Sequence, residues 1–330
     1  MEQPKLLRYS KILKPGREFS GKTFLVTGAN TGIGYAAAKL FASKGAEVIM
    51  VCRIRVKALL AAEQIRSEYE YERRKDSDAM PTEDLKLTPM DLDLSSLDSA
   101  LTFINKFKQN YTKLDVMILN AGIAGVKKII TGDGMETHFQ VNYLTHFLMC
   151  LHMIPLLEES KGVVLSVSSE AHRVLAKFKL GNFQGEKTYG RFLAYGNSKL
   201  FQMMASFSFE RRLSHRNIHF VTMHPGHVTD TAIGNHITDM SILYLLRQCL
   251  YAVDGIESSV AAKDIYEILR QKDEYKSEVY YNRRELGEAS QDSRDVVKQE
   301  QLWSYSIKLL ENYLPVNMPP ELLPEMNTKY

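Results

Sequence analysis

Residues 22–27 form a short apolar run that ends directly on Gly28-Ala29-Asn30-Thr31-Gly32-Ile33-Gly34, and a helix-like segment follows over about 33–44. A buried strand that passes at once through glycines into a helix is the start of a strand–helix–strand unit. The same alternation continues along the chain. Strands are expected at 47–52, 85–90, 114–119, 162–167 and 218–223, with a late short one at 278–281. Helices are expected at 56–74, 97–111, 136–157 and 192–213. A further helix runs to about Arg270, and Asp254-Gly255-Ile256-Glu257 reads as its capping box. The charged stretch 68–75 reads as a solvated helix face, and 77–84 as a loop.

Strands alternating with helices imply an α/β chain: a doubly wound, Rossmann-type parallel sheet with helices on both faces. No repeat or interior linker interrupts the pattern, so residues 21–312 are expected to be a single domain. Residues 1–20 read as an N-terminal arm. Residues 313–330, with four prolines, read as an extended C-terminal arm. The chain's 330 residues, 45% hydrophobic and 25% charged, are an ordinary globular composition. The net charge of +3 comes without a basic tract, so nucleic acid is not expected as a partner. Cys52, Cys150 and Cys249 are odd in number and far apart. That argues against a disulfide framework and for a reducing, cytoplasmic setting. No signal-peptide core and no run of eighteen apolar residues occurs, so no membrane-spanning helix is expected. The nine histidines show no ligand spacing, and no metal is expected.

Glycines at the first strand–helix turn allow a backbone to approach a pyrophosphate, and the helix N-terminus offers N–H donors to it. The spacing is G-x-x-x-G-x-G rather than G-x-G-x-x-G. The end of the second strand distinguishes the two dinucleotides. An NAD site usually has Asp or Glu there for the ribose 2′-OH. Here Arg53 occupies that place with Arg55 close by, while Glu47 is at the strand's other end. A guanidinium binds a 2′-phosphate bidentately and a carboxylate repels it. NADP(H) is the expected cofactor.

Tyr195 and Lys199 lie four residues apart, one turn along the same helix face. There an ammonium lowers the phenol's pKa. Bringing a Tyr from ~10 to a useful value near pH 7 takes roughly 4 kcal/mol. One cation at about 4 Å in an effective dielectric of ~20 supplies that order of energy. In isolation the pair reads by default as a core Tyr beside a solvated Lys.

Its company gives the pair a meaning. Over about residues 22–310 the motifs resemble, in order, those of the short-chain dehydrogenases/reductases. The nearer likeness is to the retinol dehydrogenase branch and to the oxidoreductase domains that accompany WW modules. Thr27-Gly28-Ala29-Asn30-Thr31-Gly32-Ile33-Gly34 is similar to the family's T-G-x-x-x-G-x-G, and Asn120-Ala121-Gly122 to its N-A-G. Asp93, with Leu94, matches the acidic position near the adenine, and Asn142 the active-site Asn. Val167-Ser168-Ser169 matches V-S-S, Tyr195-x-x-x-Lys199 matches Y-x-x-x-K, and Pro225-Gly226, with Val228, matches the segment beside the nicotinamide. The long spacing from Ser169 to Tyr195 implies an inserted segment near the active-site mouth. The resemblance makes Tyr195 the general acid/base and gives Lys199 its pKa control and the nicotinamide ribose. It makes Ser169, rather than Ser168, the substrate's hydrogen-bond donor, and Asn142 the holder of a water linked to Lys199. His172 and His224 read as structural.

The sequence also departs from the pattern. Leu119 replaces the first Asn of N-N-A-G, and Asp230 stands where a Thr is usual, between Thr229 and Thr231. Neither a WW module nor the leading membrane helix of retinol dehydrogenases occurs in these residues. Residues 231–252 are expected to cover the substrate, and as a cover their apolar run 242–251 suits a lipophilic alcohol, aldehyde or ketone and leaves room for peripheral membrane contact; the same run reads equally as a helix packed permanently on the core. The expected protein is an NADP(H)-dependent oxidoreductase, monomeric or homodimeric. The rival is a dinucleotide-binding regulatory protein with little activity.

Overall fold

The computed structural model describes residues 16–75, 84–231, 233, 255–272, 275 and 278–324. Its first half runs β1 (Thr23–Thr27), α1 (Gly32–Ser43), β2 (Glu47–Cys52), α2 (Arg55–Lys75), β3 (Leu87–Asp91), α3 (Leu97–Asn110) and β4 (Val116–Leu119). A π-helical turn, Phe139–Leu144, leads into α4 (Thr145–Ser160). Then come β5 (Val163–Val167), the short α5 (Ala171–Val174), α6 (Arg191–Leu213), β6 (His219–His224), β7 (His227–Val228) and β8 (Gly255–Ile256). The chain closes with α7 (Ser258–Arg270), β9 (Tyr280–Asn282), β10 (Glu285–Leu286), α8 (Gln291–Arg294) and α9 (Val296–Leu309).

Eight strands form the main sheet in the order β3-β2-β1-β4-β5-β6-β9-β10, while β7 and β8 pair separately. Every ladder in the main sheet is parallel except β9–β10. The two residues between those last strands, Arg283 and Arg284, are too few for a crossover, so only a hairpin is open to them. The edge therefore departs from an all-parallel sheet.

Strand alternation sends side chains to two separate cores. On β1, Phe24 and Val26 pack with Ala37, Ala62 and Ile265 of α1, α2 and α7. Leu25 faces the other way, into a core with Ile104, Phe147, Phe201 and Trp303 from α3, α4, α6 and α9. Helices thus cover both faces.

Several expectations change in the folded chain. The stretch 68–75 is not simply solvated: buried Lys39 of α1 reaches Glu68 at 2.9 Å and Glu72 at 3.2 Å, and Tyr69 is buried. An almost fully buried ammonium demands carboxylate partners, and α2 supplies them across the interface. The helix after 257 lacks the expected reciprocal cap. Glu257 is its N-cap residue without a side-chain bond, and Asp230 caps instead, accepting from Ser258 N and Ser258 Oγ at 2.8 Å each. The stretch 136–157 is not one regular helix, because the π turn interrupts it. The C-terminal residues through 324 lie against the protein rather than projecting. Pro320–Leu322 forms a 3₁₀ turn, Leu322 is fully buried, and Trp303 Nε1 donates to its carbonyl at 3.0 Å. The apolar run 242–251 and Cys249 lie outside the described residues.

Candidate active site

In this sheet the strand order reverses between β1 and β4, and crevices at such switch points open beyond the strands' C-terminal ends. A cavity of about 1070 Å³ lies there. The turn after β1 forms one wall. Gly28 has φ +70°, a conformation costly for any residue with a Cβ. Gly34 has no room for one: an added Cβ would lie 2.3 Å from Gly28 O and 2.6 Å from Asn120 Nδ2. Removing the Cβ there lets α1 begin close against the β1–β4 crossing. No side chain caps the first turn of α1, whose N-cap residue is Thr31. That leaves N–H donors for an anion.

One hydroxyl binds this wall to the next. Thr27 Oγ1 accepts from the N–H groups of Asn120 and Ala121, at 3.0 Å each, and Asn120 Nδ2 donates back to Thr27 O at 2.9 Å. Fully buried His146 of α4 completes the hub: its Nδ1 is 3.1 Å from Asn142 O and its Nε2 is 3.2 Å from Thr27 Oγ1. A carbonyl can only accept, so Nδ1 carries the proton and Nε2 accepts from the Thr27 hydroxyl. Burial pushes the His146 pKa down to about 4, which keeps the ring neutral in that role.

Arg53, exposed at the end of β2, lines the cavity with Cys52. Asp93 and Leu94 line it from beyond β3. The Asp93 carboxylate also accepts from Ser95 N at 2.9 Å and Ser95 Oγ at 2.7 Å, which holds that loop.

At the cavity's centre α6 presents Tyr195 and Lys199, both on the wall. Lys199 is almost fully buried, and its Nζ lies 5.9 Å from the Tyr195 ring centroid. It donates to Val167 O at 3.0 Å and Gln202 Oε1 at 2.9 Å. Desolvation pushes its pKa down to about 7, so its charge responds to its surroundings near neutral pH. Ser169 lines the cavity at the end of β5. Ser168 does too, but its hydroxyl is given to Lys199 O at 3.2 Å. His172 donates from Nδ1 to Ser169 O at 2.7 Å, accepts from Ser290 N at Nε2, and is kept neutral by burial. It buttresses the serine's backbone.

Asn142 sits in the π turn, a distortion that recurs at functional sites. It is fully buried. Its amide oxygen accepts from Ile123 N at 2.8 Å, and its Nδ2 donates to Ile123 O at 2.9 Å and Ser198 Oγ at 2.8 Å. The side chain thus clamps the loop after β4 to α6. Of the expected residues, Gly28, Asn30, Thr31, Gly32, Ile33, Arg53, Asp93, Leu94, Asn120, Ala121, Gly122, Ser169, Tyr195, Lys199, Pro225, Gly226 and Val228 all border the cavity. Gly34 and Asn142 stand behind its wall.

Asp230 turns away to cap α7, and Thr231 borders the cavity beside the glycine turn. A Cβ on Gly32 would lie 2.9 Å from Thr231 Cγ2. His224 also borders the cavity. Its Nδ1 has no hydrogen-bond partner among the described residues, and burial pushes its pKa down to about 4. Away from the glycine turn the wall is apolar: Ile123, Ala124, Val126, Ile129, Val174 and Leu175. Sequence reasoning overlooked His146, whose place four residues after Asn142 was the available signal. It also overlooked Val174 and Leu175, which an inserted segment hides.

The doubly wound sheet, the glycine turn and the Tyr–Lys pair over one cavity define a nucleotide-binding oxidoreductase of the Rossmann type. A family model for short chain dehydrogenases matches residues 22–241, and the chain belongs to that family. Among its relatives is the WW domain-containing oxidoreductase of Drosophila melanogaster, 32% identical over 305 residues, covering 89% of this chain and 70% of that one. Retinol dehydrogenase 12 of Mus musculus is 32% identical over 295 residues, covering 89% and 87%. The chain spans 55% of the human WW domain-containing oxidoreductase, to which it is 36% identical over 239 residues. Two crystal structures show the same fold. An uncharacterized protein from Mycobacterium paratuberculosis is 24% identical with a TM-score of 0.63, covering 92% of this chain and 97% of that one. The Pseudomonas aeruginosa RhlG/NADP complex is 19% identical with a TM-score of 0.61, covering 81% and 96%.

Proposed function

We propose that this oxidoreductase uses NADP(H) and moves hydride between the nicotinamide and a lipophilic alcohol, aldehyde or ketone. The observation that carries the reading is the single cavity that joins Arg53 and the glycine turn, through Ser169, Tyr195 and Lys199, to an apolar end. The residues fit a dinucleotide: Gly34 leaves a cradle that a Cβ would fill, and the α1 N-terminus is uncapped. Arg53 at the cavity wall supports NADP(H), because a guanidinium binds a 2′-phosphate bidentately.

NADP(H), when bound, supplies or takes the hydride. The chain's own groups do the rest. Tyr195 donates a proton to the substrate oxygen in reduction and removes it in oxidation. Ser169 hydrogen-bonds that oxygen as charge develops on it. Lys199, protonated, lowers the Tyr195 pKa. Asn142 acts from behind the wall, fixing the Ser198 turn of α6 and the loop that carries Ile123. Ile123, Val126, Ile129, Val174 and Leu175 receive an apolar substrate body. The regulatory reading draws on Asp230 and on the additional C-terminal segment. Asp230 is engaged by Ser258 while Thr231 borders the cavity, and the C-terminal segment packs Leu322 into the core, so both have a structural account. The test is a panel of carbonyl compounds of graded chain length with NADPH, followed by loss of its absorbance. Turnover should rise with apolar length. Tight NADPH binding with no turnover on any carbonyl or alcohol would overturn the reading.

A further inference from the structure

The rim of the cavity carries exposed apolar side chains. Ile129 and Val174 line the cavity and yet are 55% and 66% exposed, so they stand at its opening. Ile130, next to Ile129, is 55% exposed, and Leu180, on the segment that carries Val174, is 39% exposed. The two segments that carry these side chains are tied together. Lys128 Nζ donates to Gly185 O at 2.7 Å and lies 5.5 Å over the Tyr189 ring, while Tyr189 Oη reaches Val126 O.

These segments also concentrate charge. Residues 121–130 and 170–191 contain Lys127, Lys128, Arg173, Lys177, Lys179, Lys187 and Arg191 against only Glu170 and Glu186. Seven bases against two acids give +5, in a whole chain of +3. Glu170 accepts from Tyr280 Oη and pairs with Arg173, and exposed Glu186 accepts from Gln184 N and Tyr305 Oη, so both acids are engaged within the patch. Lys127, Lys128, Lys177, Lys179 and Lys187 are exposed.

Lysines flanking exposed apolar side chains suit an interface with anionic headgroups outside and hydrocarbon inside. We infer that the cavity mouth docks on the surface of an anionic phospholipid bilayer. This rests on the lipophilic-substrate reading, because a mouth seated on a bilayer takes an apolar substrate from hydrocarbon without passing it through water. An acidic protein would satisfy the lysines too. It would leave unexplained why the exposed apolar groups ring the opening itself, and seated there it would block the path to Tyr195. Among the described residues no helix is long and apolar enough to cross a membrane, so this contact is peripheral.

The experiment is vesicle co-sedimentation of the full chain, with phosphatidylcholine alone and with about one third phosphatidylserine. Binding is expected to be at least tenfold stronger to the anionic vesicles and to fall steeply in high salt. Lys177→Glu/Lys179→Glu/Lys187→Glu, three sites off the cavity wall, should lose that binding at least tenfold. The same variant should keep its melting temperature and its turnover of a short, water-soluble carbonyl. Ile130→Ser/Leu180→Ser, which leaves the charge unchanged, should keep the salt-sensitive part and lose the retention that survives high salt. Equal binding to both vesicles, no binding to either, or anionic binding untouched by the triple variant would each overturn the inference. So would retention on poly-glutamate without vesicle binding, which would assign the surface to an acidic protein. Vesicle binding as expected with no turnover of lipophilic carbonyls would leave the docking surface standing and strike only at the proposed substrate class.

Discussion

At the scale of single residues, the site turns on groups whose charge burial has tuned. Tyr195→Phe removes one oxygen from a side chain held edge-on to the His138 ring, with centroids 6.5 Å apart. Packing and NADPH affinity should be retained, while turnover should fall by the ~10²–10⁴-fold of a lost acid/base group. Unchanged turnover would mean another proton donor. Lys199 gives a pH signature. Its folded pKa is about 7 against an unfolded 10.5. Below pH 7 both states carry the proton and the full cost of burying the ammonium is present. From 7 to 10.5 the folded state gives up the proton first, so this cost is relieved as pH rises. Lys199→Met should therefore stabilise the cofactor-free protein more at pH 6 than at pH 9. Between those values its advantage should shrink by about 1.4 kcal/mol for each pH step above neutrality. A gap between the two melts that is the same at both pH values would refute the lowered lysine pKa. Under the proposed NADP(H) reading, Arg53→Asp exchanges an ion pair with the 2′-phosphate for repulsion. Titration calorimetry should show NADPH binding weakened far more than NADH binding, and equal losses would remove the NADP(H) assignment.

At the scale of elements, what the sequence disclosed and what it hid have a physical division. Runs such as Glu47–Cys52 were legible because a strand buried on both faces is apolar throughout. The glycine turn was legible because its backbone geometry excludes side chains. Contacts made across the fold left no local trace. Asp230 caps a helix whose first residue is Ser258, so no reading of 254–257 could find it. Lys39 recruits Glu68 and Glu72 across the packing of α1 on α2, which made a charged helix face look solvated. The π turn at Phe139–Leu144 keeps the apolar pattern of an ordinary helix and changes only the hydrogen bonding. Thr27 was legible as a strand end but not as a hub. Thr27→Val keeps the shape and leaves the N–H groups of Asn120 and Ala121 and the Nε2 of His146 without their partner. Each unsatisfied buried group costs about 1–3 kcal/mol. The melting temperature should fall by at least ~4 °C, because an unfolding entropy of about 2.1 cal/mol/K per residue gives roughly 1.5 °C per kcal/mol in a chain of 330 residues. NADPH affinity should fall with it, because the same amides carry the cofactor wall. A variant that melts like the parent would show that the hub is dispensable.

At the scale of the whole molecule, the chain's end supports the layer that holds the catalytic helix. The core beneath α6 contains Phe147, Phe201, Phe209 and Trp303, and Leu322 is fully buried within it. Three further ties converge on the same stretch: His152 Nε2 with Tyr313 O at 2.8 Å, Trp303 Nε1 with Leu322 O at 3.0 Å, and Arg216 with Glu321 at 2.6 Å. A proline-rich tail that only extended into solvent could be altered without effect. A tail that fills a core cannot. Leu322→Ala should cost the ~2–5 kcal/mol of a large-to-small core change, lowering the melting temperature by about 3–7 °C. Val316→Ala is the control, since Val316 is 99% exposed, and it should change the melt by no more than a degree. Leu322 does not border the cavity, so Leu322→Ala assayed well below its melt should keep most of its turnover. If Leu322→Ala and Val316→Ala melt alike, the C-terminal stretch is an arm after all. If Leu322→Ala instead loses turnover while its melt is unchanged, the stretch acts on the site rather than on the core, and the division between a supporting layer and a catalytic wall fails.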